Sequence, residues 1–483
     1  MTRQANPWSA LLALCVGFFM ILLDTTIVAI AIPSMVTGLH TDLNSVVWVL
    51  SVYLLTFAVP MLFTSRLGDR FGPKRVFLAG LIVFTLASLW CGLSSSAGTL
   101  IAARAVQGLG AALMTPQTLA FITHLFPPSK RGPAMGLWGG VAGLATIAGP
   151  LLGGVLVDGL GWQWIFFVNV PIGVAGMVLT VLLVPDWQPK HAHSFDVPGI
   201  LLSAAGLCLL VFGLQNGQYY DWGRVFGPFT IYEFIAAGVA LLAGFVVWQR
   251  FNPKEPLLPL SLFGNRTFSA GTLTSVTVGF TMTAMFLPLV IYIQQVMGLS
   301  PTKAGLLTAP MSLLSGLVAP FIGKLSDKTN PKYLVVFGLF GLAAGLTLIA
   351  VMVRPDSGAW AMVPGLLVCG IGTGSVFAPM SNATMGSVQP KLAGAASGIF
   401  NTARQVGGVL GSAATGVLLQ ARIAASMAGE HGNVGKALTD ATRETLILPV
   451  AVLVLGMFAA MAMRRVTPRH QAEKPAQPEP AIA

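Results

Sequence analysis

Fourteen blocks of apolar residues, separated by short polar connectors, run through the chain. They lie near residues 10–34, 46–65, 76–93, 99–123, 134–157, 163–184, 197–215, 229–248, 268–295, 304–325, 333–353, 361–385, 395–420 and 445–463. About 20 apolar residues in a helix cross a hydrocarbon core of about 30 Å, so the pattern predicts fourteen membrane-spanning helices. The connector 421–444 is the longest on its side and mixes charges of both signs, which predicts a small surface helix. After Val466 the chain turns to Pro, Ala, Gln and Glu, the composition of a disordered tail.

Composition closes off the soluble alternative. Of 483 residues, 55% are hydrophobic and 9% charged, against roughly 25% charged in an ordinary soluble domain. The net charge of +11 does not point to nucleic acid, because the basic residues occupy short connectors and not one exposed stripe. Cys15, Cys91, Cys208 and Cys369 sit in or beside apolar blocks and read as small packing residues. Ala29-Ile30-Ala31 has the look of a signal-peptidase site, but the stretch is too long and carries Asp24, so an uncleaved first span is expected.

Lys and Arg orient the spans. With a cytoplasmic N-terminus, the inside segments hold Arg3, Arg66, Arg70, Lys74, Arg75, Lys130, Arg131, Lys190, Arg250, Lys254, Arg266, Lys324, Lys328, Lys332, Lys391, Arg464, Arg465, Arg469 and Lys474. The outside segments hold Arg224, Lys303, Arg354, Arg422, Lys436 and Arg443, and Arg104 and Arg404 lie within spans. Both termini are therefore expected in the cytoplasm.

The chain also repeats itself. Pro128, Gly132 and Gly136 match Pro390, Gly394 and Gly398 in spacing, and Gly108-x-Gly110 matches Gly370-x-Gly372 at the same offset. Leu67-Gly68-Asp69-Arg70 has a weaker, shifted echo in Leu325-Ser326-Asp327-Lys328. Two parallel six-helix repeats are the architecture of the major facilitator superfamily, which this chain resembles and whose substrate sites lie at the repeat interface. The expected fold is an all-α polytopic membrane protein. Residues 1–190 would form the N-terminal six-helix bundle, 191–260 two inserted helices, 261–466 the C-terminal bundle and 467–483 a disordered cytoplasmic tail.

Asp24 carries the chemistry. A charge inside a span costs at least about 2.5–3.5 kcal/mol, and such residues usually face a cavity and work. Permanent pairing with an Arg is the structural alternative. Leu23-Asp24-Thr25-Thr26-Ile27-Val28-Ala29-Ile30-Ala31-Ile32-Pro33 resembles the first-helix signature of the fourteen-span drug:proton antiporters of the EmrB/QacA type, in which the Asp is implicated in proton coupling. Ala29 replaces that family's usual Asn. Arg104-Ala105-Val106-Gln107-Gly108 resembles the fourth-helix motif, implying that Arg104 couples to Asp24. An Arg snorkelling to the outer interface is the alternative.

Ser65-Arg66-Leu67-Gly68-Asp69-Arg70-Phe71-Gly72-Pro73-Lys74-Arg75 resembles the superfamily's loop between spans two and three. The resemblance makes Asp69, Arg70, Gly72, Lys74 and Arg75 a cytoplasmic gate, with Asp69 against the positive N-terminal end of span thirteen. Gly149, Pro150, Gly153 and Gly154 resemble the Gly-Pro-x-x-Gly-Gly motif of antiporters. Trp162-Gln163-Trp164-Ile165-Phe166-Phe167-Val168-Asn169-Val170-Pro171 resembles the entry to span six; its two Trp suit an aromatic belt and no transport role is assigned.

Asn401-Thr402-Ala403-Arg404-Gln405 puts Arg404 about ten residues into span thirteen, near the midplane. Arg404 would pair with Asp24 or contact an anionic or polar part of a substrate. Asn401, Gln405, Gln107, Asn382 and Gln294 complete the candidate cavity residues. No phosphate-binding Gly-rich loop and no metal-spaced His, Cys or Glu cluster occurs. The resemblance implies a proton-coupled antiporter in a bacterial inner membrane, exporting hydrophobic or cationic drugs. It would need no cofactor but protons and would bind no nucleic acid; a monomer is expected, with a periplasmic adaptor left open. A transporter of one metabolite, lipid or antibiotic, and a non-transporting scaffold or sensor, are the alternatives.

Overall fold

The computed structural model describes residues 6–188, 196–252, 256–389, 392–429 and 434–464. Arg3, Lys190, Lys254, Pro390, Lys391, Arg465, Arg469, Lys474 and the tail after Val466 lie outside the described residues, as do the side chains of Ser65, Arg131 and Asp327.

Among the described residues, fourteen helices are long and apolar enough to cross a membrane. The first six are α1 (Pro7–Gly38), α2 (Leu43–Phe71), α3 (Pro73–Gly92), α4 (Ala97–Leu125), α5 (Pro128–Leu160) and α6 (Trp164–Leu183). The inserted pair is α7 (Val197–Asn216) and α8 (Ile231–Phe251). The last six are α9 (Arg266–Val296), α10 (Pro301–Lys328), α11 (Pro331–Met352), α12 (Ala359–Gly386), α13 (Ala393–Gly429) and α14 (Val434–Ala462). The protein is therefore a multi-pass membrane protein. Its even number of crossings puts both ends of the described chain on one side, the terminal side.

Local chemistry starts and stops these helices. Proline occupies the first turn of α1, α3, α5, α10 and α11, where its missing N–H is no loss. Asp42 caps α2 by accepting from the Ser45 N–H at 2.6 Å, and Ser96 with Thr99 forms a capping box on α4. Inside spans, proline breaks the ladder. Pro171 follows the break in α6 between Phe167 and Asn169, and Pro288 precedes a π-helical turn at Tyr292–Val296 in α9.

The expected surface helix in 421–444 is not formed. Instead the two spans continue as helix through the connector, α13 to Gly429 and α14 from Val434. Arg422 of α13 bridges to Glu444 of α14 at 3.0 Å, and Arg443 pairs with Asp440 one turn away within α14 at 3.9 Å. On the same far side, α7 and α8 are joined by a short hairpin, β1 (Arg224–Phe226) and β2 (Phe229–Thr230).

The repeat in the sequence is a repeat in packing. In the first half α1 packs on α5 and α6, α2 on α4, and α3 on α4 and α6. In the second half α9 packs on α13 and α14, α10 on α12, and α11 on α12 and α14. A lysine closes each half in the same way. Lys74 Nζ, at the start of α3, donates to the carbonyls of Val181 and Val184 at the end of α6, at 3.0 and 2.6 Å. Lys332 Nζ, at the start of α11, donates to Met461 and Met463 at the end of α14, at 2.5 and 3.0 Å. Each cation meets the negative end of a helix whose last carbonyls have no partner of their own.

The halves meet along α2 with α13 and α5 with α10, and the contact is tight toward the far side. Ser51 and Ser412 share a hydrogen bond of 2.9 Å. Gln294 Nε2 of α9 donates to the Ile30 carbonyl of α1 at 2.9 Å, and Asp158 of α5 accepts from the Thr302 N–H of α10 at 2.9 Å. Nearer the terminal side α5 stays packed on α1, with Trp138 stacked on Phe18 at 4.3 Å, but its other face opens: a Cβ on Gly139, Gly140 or Gly143 would meet no atom within 4 Å. The molecule is shut on the far side and splayed at the terminal side.

The inserted helix α7 packs on both α2 and α13. Asn216 Oδ1 accepts from Asn44 and Trp48 of α2 at 3.0 and 3.3 Å. At the other end of the pair, burial works against the charge of Asp196. Hydrogen bonds from Trp248, Gln249 and the Gly199 N–H outweigh it and hold the carboxyl below its ordinary range.

Small residues set the helix spacing, since apolar burial alone does not draw helices together in lipid. A Cβ on Gly110 would lie 2.6 Å from the Phe84 backbone nitrogen and 2.8 Å from the Gly80 carbonyl. Gly110→Ala should therefore push α3 from α4 at a cost of about 1–3 kcal/mol, while Gly140→Ala should be neutral or slightly stabilising. Melting of the two purified variants, followed by size-exclusion chromatography, checks the ordering.

Candidate functional site

Five helices of the first half converge on Asp24. The carboxylate is fully buried, as are Tyr53, Ser88, Cys91, Arg104, Gln107 and Asn169 around it. Arg104 Nη1 donates to Asp24 Oδ2 at 2.5 Å. Gln107 and Asn169 donate to the other carboxylate oxygen, at 3.0 and 3.2 Å. Arg104 is held in turn by the Val49 carbonyl at 3.1 Å and Gln107 Oε1 at 2.7 Å, with the Tyr53 ring 3.9 Å below its guanidinium carbon. Ser88 accepts from Gln107 and Asn169 and donates to the Phe166 carbonyl at 2.9 Å, so the break in α6 is part of the site.

An ion pair so placed must recover a large desolvation cost through geometry and extra hydrogen bonds, and the amide side chains supply them. The account is not fully balanced. Arg104 Nη2, Tyr53 OH and Asn169 Oδ1 are buried there without a hydrogen-bond partner among the described residues.

Arg104 is thus sealed against Asp24 and does not snorkel. Gln107, expected in the substrate cavity, belongs to this buried knot, because one turn of α4 puts it beside Arg104. Asn169 and Ser88 were missed. The signal for Asn169 was a lone amide in an apolar run two residues before Pro171, in a segment assigned only to an aromatic belt. That belt is also half of what was expected: Trp164 is exposed, whereas Trp162 is buried against Gly38 of α1.

The loop between α2 and α3 turns at Gly72, whose φ of 93° only glycine adopts without strain. Asp69 is half-buried and Arg70 exposed. Lys74 caps α6 as described, and Arg75 approaches Asp186 at 3.8 Å on the surface. Arg66 donates to the Pro256 carbonyl at 2.8 Å, tying this loop to the connector into the second half.

The motif on α5 faces two ways. Gly149 and Gly153 lie against Thr26 and Ile27 of α1, immediately beyond Asp24. Gly154 lies against the Pro301 carbonyl of α10, and Gly305 of α10 against the Pro150 carbonyl. Four residues therefore connect the helix carrying Asp24 to the seam between the halves.

Of the other candidates, Gln294 sits on the far-side seam. Asn382 Nδ2 donates to Ser326 Oγ at 3.2 Å, and Asn401 Nδ2 to the Ser397 carbonyl one turn back at 3.0 Å. Gln405 is half-buried on α13. Arg404 does not pair with Asp24, which is spent on Arg104; its guanidinium carbon lies 6.0 Å from the centre of the Phe377 ring.

This fold and the repeated packing are those of a known class of transporters, and residues 14–412 match the Major Facilitator Superfamily. The chain belongs to that superfamily. It is 45% identical to an uncharacterized MFS-type transporter of Mycobacterium tuberculosis, over 97% of this chain and 83% of the relative. It is 37% identical to the tetracenomycin C resistance and export protein of Streptomyces glaucescens, over 87% of this chain and 77% of that one. Among solved structures it is similar to a bacterial homologue of the human lysosomal transporter Spinster, in an inward-facing and unoccupied conformation. That likeness has a TM-score of 0.66 and 17% identity, covering 96% of this chain and 99% of the other, and it concerns the fold.

Removing one partner of a buried ion pair strands the other charge, at about 3–5 kcal/mol. Arg104→Gln should cost that much, and adding Asp24→Asn should recover more than half of it. A double-mutant cycle on the melting of purified protein checks the coupling; additive losses would show that the pair does not act as a unit.

Proposed function

We propose that this transporter is a proton-coupled antiporter exporting hydrophobic organic compounds across the bacterial cytoplasmic membrane, with its terminal side in the cytoplasm. The observation that carries the reading is the sealed Asp24–Arg104 pair, joined through Thr26 and Gly149 to the seam of α5 and α10. The relative that exports tetracenomycin C supports the direction and the kind of cargo.

The electrostatics supply the coupling. Protonating Asp24 while Arg104 stays in place would leave a buried guanidinium without its counter-charge, which is strongly unfavourable. Proton uptake is therefore linked to a movement of α1 against α4. In the far-side-closed arrangement the carboxylate has its three donors and no path to water. Opening α5 from α10 draws on α1 through Gly149 and Gly153, loosens the pair and exposes Asp24 to the far side, where it takes a proton. Return to the terminal-side-open state brings Arg104 back and drives the proton off as cargo enters from the cytoplasm or inner leaflet. Of the buried groups there, Tyr53 OH, a hydroxyl without a hydrogen-bond partner among the described residues, is the one whose chemistry lets it both accept and donate a proton. In the opposite state, Asp69 and its neighbours in the α2–α3 loop hold the terminal side shut.

Inverted vesicles test this. In wild-type protein, adding a transported dye to acidified vesicles should release protons, and Asp24→Asn should abolish that release while leaving dye binding within a few-fold. Unchanged proton release in Asp24→Asn would remove Asp24 from the coupling.

A further inference from the structure

We infer that the cavity between the halves takes cargo bearing an anionic group, held by Arg404 beside the Phe377 ring, so that planar aromatic acids are preferred over cations. The inference rests on the exporter reading and narrows its substrate class.

The position of Arg404 comes from the face of α13. Gly408, Ser412 and Gly416, stepping by single turns, meet Leu54, Ser51 and Val47 of α2. Arg404 is one turn before Gly408 on that face, toward the splayed terminal side, and helical side chains lean toward the helix N-terminus. Its backbone is wedged against Gly279 of α9, where a Cβ would have no room, so the guanidinium has a fixed base. The side chain is half-buried. Among the described residues no hydrogen bond or ion pair engages it; its contact is the ring of Phe377, which is itself exposed.

A guanidinium at that depth is costly without an anion or a wet cavity, and among the described residues no acidic side chain forms an ion pair with it. Asp24 is the carboxylate in the middle of a span, and it is closed off by Arg104. Asp158 is bound to the Thr302 N–H at the far seam, Glu233 caps α8, and Asp440 and Glu444 pair with arginines in the far extension. Among the described residues Arg404 is thus a charge between the halves without an ion-pair partner, and its sign is positive. That field repels an organic cation and attracts a carboxylate or phenolate, to which a guanidinium offers a planar fork of donors. Phe377 adds a face for an aromatic ring next to the charge. Hydrophobic cargo remains in keeping with the fold; the cationic cargo that the family resemblance implies does not suit this charge.

Two xanthene dyes with the same ring system separate the cases: fluorescein, an anion, and rhodamine 6G, a cation. Binding is read by fluorescence anisotropy on the full-length protein in nanodiscs, with empty nanodiscs subtracted. The anion should bind at least tenfold tighter than the cation. Arg404→Gln should weaken the anion by about tenfold to a hundredfold, the range for a charge-assisted hydrogen bond, and leave the cation unchanged or tighter. Arg404→Lys should keep part of the anion affinity. An anion that fails to bind, a cation that binds as well, or equal loss of both in Arg404→Gln overturns the assignment. Proton-driven accumulation in vesicles tests the exporter reading separately. A wild type that pumps the cation but not the anion sustains export and removes Arg404 as the anion site. A wild type that binds the anion through Arg404 yet moves neither dye keeps the site and sinks export.

Discussion

The carboxylate of Asp24 and the guanidinium of Arg104 are held 2.5 Å apart where no solvent reaches either. Much of the first half is arranged around keeping them there. The break in α6 before Pro171 turns Asn169 toward the carboxylate, Ser88 of α3 links that amide to Gln107, and Tyr53 of α2 supports the guanidinium. Each of these helices contributes because withdrawing any donor would leave a buried charge underpaired, a far larger penalty than an ordinary hydrogen bond lost in water. The same stringency makes the pair useful, since a small shift of α1 changes its energy steeply.

The fold is symmetric in packing and asymmetric in chemistry. Both halves share one contact pattern, and Lys74 and Lys332 close their helix ends alike. Yet the offset that relates Gly108 to Gly370 sets Leu366 in the place of Arg104. Among the described residues the second half has no charged knot there; it presents Arg404 on α13 and a run of hydroxyls on α9. One half holds the buried pair, the other a cation without an ion-pair partner among the described residues, and the glycine-faced α5 lies between α1 and the α10 seam.

The spans, the repeat and the importance of Asp24 were legible because each is written in a single stretch of sequence. A charge inside an apolar block, or a glycine pair at helical spacing, declares itself without its neighbours. Partnerships were not legible in that way. Gln107 and Gln294 look alike as amides in spans, yet one is buried in the knot and the other bridges to the Ile30 carbonyl. Which face of a membrane helix points to lipid, to a neighbour or to the cavity depends on the other thirteen. Ser88 was invisible for that reason, and Asn169 left only the trace of a lone amide before Pro171. The extension of α13 and α14 was hidden by its mixed charges, which read as a separate small surface helix until Arg422 and Glu444 are set side by side.

The central claim is that Asp24 is ionised and paired when the far side is shut, and gains its proton only when that side opens. Infrared spectroscopy reads this directly, because a protonated carboxyl has a C=O stretch that a carboxylate lacks. Ser51 and Ser412, 2.9 Å apart across the seam, offer a place to lock the far side by replacing both with cysteine and oxidising them. In the oxidised protein, the spectrum with Asp24 minus that with Asp24→Asn should show no protonated-carboxyl band at neutral pH. After reduction and acidification of the far side, the band should appear. A protonated Asp24 band in the locked protein at neutral pH would contradict the account.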